Sequence, residues 1–208
     1  MLASAGLVLA LGPTATVAQT LPPVTTADRT IGRADAPITV VEYASFACPH
    51  CADWHRFVYP LLKTRWIDTG KVRLVFRNLP TPPAEASFPA AGIARCAEPS
   101  RFFDAATALF HGQDRALATG QVQPWFDAAV AQSGRTEAQM DACLANEATL
   151  TAINRDITAA NAMGVDPTPT LFVNGRQVTD RSLGAGNPVP QPAASGLTRT
   201  PCSSNVCV

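Results

Sequence analysis

Cys48-Pro49-His50-Cys51 is the segment of this sequence best equipped for chemistry. Two thiols separated by two residues fit reversible disulfide exchange when they sit where a buried strand hands over to a helix. There a thiolate at Cys48 faces backbone N–H groups that have no intrahelical partner, which lowers a thiol pKa from about 8.5 into the range of about 3.5–7.5. Pro49 suits the first helical turn, and His50 is expected to add a donor or positive charge beside the sulfur. Cys48 is the expected attacker, and Cys51, one turn deeper, the resolving thiol. A stabilised thiolate makes the disulfide easier to reduce, so the pair reads as an oxidant. The competing reading is half of a zinc site, with His50 and His55 as further donors. A structural zinc needs four ligands, and no second Cys/His pair occurs elsewhere in the folded region. No metal and no organic cofactor is expected.

The neighbouring segments support that placement. Pro37 to Tyr43 is β-branched and nearly continuously apolar, as expected of a strand covered on both faces. From Ala52 to Ile67, Trp54, Phe57, Val58, Leu61, Leu62 and Trp66 fall at helical spacing, with a kink expected at Pro60. Val72 to Arg77 reads as a second strand, parallel to the first through the intervening helix. Ala84 to Met163 is Ala-rich and divides into about five helices, the last from Asn146 to Met163. Thr170 to Val173 and Arg176 to Val178 flank Asn174-Gly175, a hairpin signal. The order strand, helix, strand, helical block, hairpin describes an α/β domain carrying a helical insertion.

Two single residues have open readings at this level. Glu42 lies within the apolar strand six positions before Cys48, either as a solvated strand end or as a buried acid passing protons to and from Cys51. Thr168-Pro169 precedes the Thr170 strand, and an X–Pro bond in a folded protein is trans far more often than cis.

The strand ending in Glu42-Tyr43-Ala44-Ser45-Phe46-Ala47, the Cys48-Pro49-His50-Cys51 motif and the segment Gly164 to Gly175 together resemble periplasmic thiol:disulfide interchange proteins of the DsbA type, alphaproteobacterial in character. The likeness spans about residues 30–178. It implies a thioredoxin fold with an inserted all-helical domain. It also implies a cis bond at Pro169 beside the dithiol, Thr168 as its tuning neighbour in the substrate-binding strand, and Glu42 as the family's buried acid. Cys96 and Cys143, by themselves readable as small buried hydrophobes, match a second disulfide common among such proteins. On the chain-entropy account that bond is worth about 4 kcal/mol. Implied partners are unfolded or partly folded exported proteins with free thiols, and a quinone-linked membrane oxidase of the DsbB type. The protein is expected as a monomer.

Composition agrees with this class. The 208 residues carry 16 basic and 16 acidic side chains and a net charge of zero, without the basic surplus of a nucleic-acid binder. Of the basic residues only Lys63 and Lys71 are lysines, so no polybasic lipid anchor exists. Residues 1–18 read as a secretory signal peptide, although no Lys or Arg precedes the apolar stretch, which places the mature protein in the periplasm. The expected divisions are a signal peptide at 1–18, the thioredoxin domain at 19–83 and 147–182, the helical insertion at 84–146, and a disordered tail at 183–208. That tail holds Cys202 and Cys207 and is too polar and Pro-rich for the closing helix that the resemblance implies, so the C-terminal helix is expected to be missing. The leading function is an exported oxidase that donates its disulfide to newly translocated proteins. The alternatives are a disulfide reductase or isomerase, and a non-enzymatic peptide-binding folding helper.

Overall fold

The structure, a computed structural model, describes residues 20–181 and residue 183. The expected signal peptide and disordered tail, with Cys202 and Cys207, lie outside the described residues. A five-stranded sheet runs β1 (Arg29–Ile31), β3 (Val72–Asn78), β2 (Ile38–Ala44), β4 (Thr170–Val173), β5 (Arg176–Val178) in spatial order. β2 and β3 are parallel, joined by the helical crossover that carries the dithiol, and the other pairs are antiparallel. β1 falls within the polar, Pro-containing residues that precede Ala36; three residues are too few to show an alternating pattern.

Because side chains alternate across a strand, the central strands feed two cores. Val40, Ala44, Leu74, Phe76, Leu171 and Val173 pack on the dithiol helix and the insertion, whereas Val41, Tyr43, Val75 and Phe172 pack on the opposite face with Ala160 and Val165. Glu42 shares the parity of Val40 and Ala44, so its carboxylate points into the first core, beneath the helix.

That helix is continuous but irregular. α1 (Pro49–Asp53) passes through a π segment (Trp54–Val58), α2 (Tyr59–Leu62) and a second π segment (Lys63–Ile67). Pro60 does not break the element; it stands in the first turn of α2, directly after the first π segment. The π segments also rotate the faces. Cys51, Trp54, His55, Tyr59, Leu62 and Ile67 are buried, while Phe57, expected on the apolar face, stands 69% exposed.

The insertion comprises α3 (Ala84–Cys96), α4 (Phe102–Thr119), α5 (Gln123–Gln132) and α6 (Glu137–Leu144), followed by α7 (Glu147–Ala162) capped by Asn146. Phe102, Phe110 and Trp125 of this block share one hydrophobic cluster with the first sheet face. Cys96 and Cys143 are bonded, joining α3 to α6. On the other side Asp156 of α7 accepts from the backbone N–H and side-chain amide of Asn78, tying α7 to the end of β3.

Candidate active site

The site is assembled at the C-terminal end of β2. Cys48 has extended backbone angles (φ −89°, ψ 120°) and caps α1, with Pro49 as the first helical residue. Cys48 is 8% exposed, whereas Cys51 is fully buried. Both are free thiols.

Their environments push them apart. A hydrogen bond from the Cys51 side chain, reinforced by Thr168 and the backbone N–H groups of Cys51 and His50, outweighs burial and brings Cys48 down to about 5. Burial drives Cys51 in the other direction, well above the usual thiol value, and the charges of Cys48 and Glu42 add to the rise. His50 acts on Cys48 through its main-chain amide, while its imidazole is exposed at the rim.

The Thr168–Pro169 bond is cis and brings this loop against the dithiol: the Cys48 thiol donates to the Thr168 carbonyl at 3.3 Å. Beside it runs an open groove of about 320 Å³ with Trp54, Phe57, Val58 and Pro169 as its apolar walls, and His50 and Arg181 at its rim. A larger groove of about 640 Å³ lies on the insertion among Ile93, Phe126, Met140 and Leu144, and none of the cysteines lines it.

Beneath the dithiol, Glu42 is fully buried, and both of its oxygens lie 3.0 Å from Nε2 of His55. The sequence left this carboxylate open between solvent and core; its place on a central strand facing α1 decides the matter. His55 had been weighed only as a metal donor, although its position four residues after Cys51 places both on one helical face. Gln113 of α4 was missed. Its amide donates to the carbonyls of Phe46 and Cys48, the latter at 3.0 Å. A polar residue at helical spacing with Phe102, Leu109, Phe110 and Ala116 was the available signal.

The class that this fold and site define is a dithiol protein built on the thioredoxin fold with a helical insertion. The chain belongs to the thioredoxin family, whose sequence profile matches residues 24–184. It is similar to a Rickettsia bellii protein provisionally named protein-disulfide oxidoreductase, with 32% identity over 165 residues, 75% of this chain and 60% of that one. A Rickettsia typhi relative with a similar name is 29% identical over 58% of its own length, so the chain spans about three-fifths of these relatives. Among solved structures, α-DsbA1 of Wolbachia pipientis superposes with a TM-score of 0.65 at 29% identity, covering 74% of this chain and 77% of that chain. BdbD of Bacillus subtilis shares the fold, with a TM-score of 0.69 at 24% identity over 79% and 91% of the two chains. The chain thus resembles solved structures of the DsbA type. No helix among the described residues is long and apolar enough to cross a membrane.

Proposed function

We propose that the chain is an exported dithiol oxidase that transfers the Cys48–Cys51 disulfide to thiols of newly translocated proteins. The observation that carries this reading is the opposed pair of thiols, with Cys48 ionising near pH 5 and Cys51 held protonated by burial. In the oxidised state a substrate thiolate attacks Cys48 Sγ, the bond to Cys51 breaks, and the Cys51 sulfur, buried beside Glu42, takes up a proton. A second substrate thiolate attacks the substrate sulfur of the mixed disulfide. Cys48 then leaves as its stabilised thiolate and the substrate leaves with the disulfide.

The Thr168 backbone, beside the groove walled by Trp54, Phe57 and Pro169, suits an unfolded peptide presented to Cys48. Reoxidation falls to a quinone-linked membrane partner of the DsbB type, and residues 1–18 direct export to the periplasm. These assignments rest on the likeness to DsbA-type proteins and on the leader-like composition of the N-terminus.

The reduction potential of the Cys48/Cys51 pair, equilibrated against glutathione in a variant lacking Cys202 and Cys207, tests the proposal. A value well above about −180 mV supports the oxidase, and one near about −270 mV replaces it with a reductase. Cys48→Ser separates both from a non-enzymatic peptide binder, because peptide binding then survives while thiol exchange stops.

A further inference from the structure

One buried titratable group, His55, has no part in the reaction as written. Its Nε2 lies 3.0 Å from each oxygen of Glu42, and both side chains are at most 1% exposed. Its other ring nitrogen, Nδ1, is buried and has no hydrogen-bond partner among the described residues. The ring stacks on Phe110 with centroids 3.9 Å apart, and Trp54, Tyr59 and Phe76 contact its remaining sides.

These facts select one protonation state. A protonated Glu42 would donate to a bare Nε2, leaving Nδ1–H as a buried donor without an acceptor. An imidazolium would orphan the same N–H. An unmade buried donor costs about 1–3 kcal/mol. The arrangement that orphans no donor is a neutral imidazole with its hydrogen on Nε2, shared between the two oxygens of an ionised carboxylate.

We propose that His55 is a positioning residue that holds Glu42 as a carboxylate, so that the pair presents a net negative charge to Cys51. This inference rests on the proposed oxidase reading for its consequence. The charge adds to burial in keeping Cys51 a thiol at rest, and the carboxylate is the acceptor of its proton when that sulfur attacks. In that attack the Cys51–Cys48 bond forms, the bond from Cys48 to its partner sulfur breaks, and the partner leaves as a thiolate. The groups facing this centre are Cys51 from α1, Tyr59 from α2 and, at longer range, His111 from α4; the Tyr59 phenol is pushed up by burial and by the charge of Glu42. Without the Nε2 donor, a carboxylate in this apolar pocket takes a proton, because burial disfavours the charged form.

Two readouts on the full chain test this, and neither needs catalytic turnover. In reduced protein with ¹⁵N-labelled histidine, His55 is expected as the Nε2–H tautomer; an imidazolium or an Nδ1–H tautomer overturns the proposal. In ¹³Cβ-cysteine spectra, His55→Leu and Glu42→Gln are each expected to bring Cys51 ionisation down by about one pH unit. The double variant is expected to do no more than either alone. His55→Gln, which retains a donor near the Nε2 position, is expected to restore the original titration. Additive shifts, or an unshifted Cys51 in His55→Leu, overturn the assignment. If His55→Leu fails to fold, the ¹⁵N tautomer measured on the native chain still decides it. A reduction potential at the reductase end would remove the oxidase reading and leave these titrations unaffected.

Discussion

Gln113 donates its side-chain amide to the carbonyl of Cys48 at 3.0 Å, across the boundary between the helical insertion and the redox turn. The same nitrogen reaches the carbonyl of Phe46, so one fully buried side chain on α4 holds both ends of the segment that presents the nucleophile. The insertion is thereby part of the site's scaffold.

Gln113→Leu keeps the volume and removes the donor from two buried carbonyls. The expected cost is about 1–3 kcal/mol, read as a lower urea midpoint at unchanged slope. An unchanged midpoint would mean that water replaces the amide at no cost.

Ionisation of Cys48 links redox chemistry to stability. The thiol ionises near 5 in the folded reduced protein, against 9.0 for an ordinary cysteine. Between these values the unfolded chain holds a proton that the folded one has released, so stability rises with pH across that window and is lost as pH falls through about 5. The reduced protein is expected to have a higher urea midpoint at pH 8 than at pH 5, with the increment absent in Cys48→Ala. Thiolate absorbance of the reduced protein is expected to reach half its Cys48 amplitude near pH 5.

Thr168 supports the same thiolate with its side chain. Thr168→Val preserves shape and removes the hydroxyl, so half-titration of Cys48 is expected to move upward and the reduction potential to become less oxidising. A titration identical to that of the native chain would assign the support to backbone amides alone.

The Cys96–Cys143 bond closes a loop of sequence separation 47 and lies in the insertion, apart from the exchange pair. Replacing both by Ala is expected to cost about 4 kcal/mol of stability on the chain-entropy account. The ionisation of Cys48 is expected to stay near 5. Calorimetry and thiolate absorbance on the same variant check the two halves of this statement.

Phe57 stands 69% exposed beside the groove at Pro169. Phe57→Ser is expected to change stability by less than about 0.5 kcal/mol. If reduced peptides lose about 1.4 kcal/mol of apolar contact there, KM rises about tenfold with kcat unchanged. An unchanged KM would place the peptide elsewhere.

The sequence by itself determined the chemistry and the element order. Cys48-Pro49-His50-Cys51 after an apolar strand, and Asn174-Gly175 between two apolar runs, are local patterns whose physics acts within a few residues, through helix-terminal N–H groups and turn dihedrals. Only the tertiary structure decided which distant groups meet that chemistry. Trans is the default for an isolated Thr168-Pro169 bond, yet the bond is cis where the loop packs against the dithiol. Glu42 was undecided until β3 and β4 flanked its strand and α1 covered it. Phe57 looked like a core residue because α-helical periodicity was assumed, and the π segments turned it outward. His55 and Gln113 gave only weak signals, since a polar residue on an apolar helical face acquires meaning when its partner, 13 residues away for His55 and 65 for Gln113, is brought into hydrogen-bond range. Desolvation and hydrogen bonding depend on what surrounds a side chain in space, and packing alone supplies those surroundings.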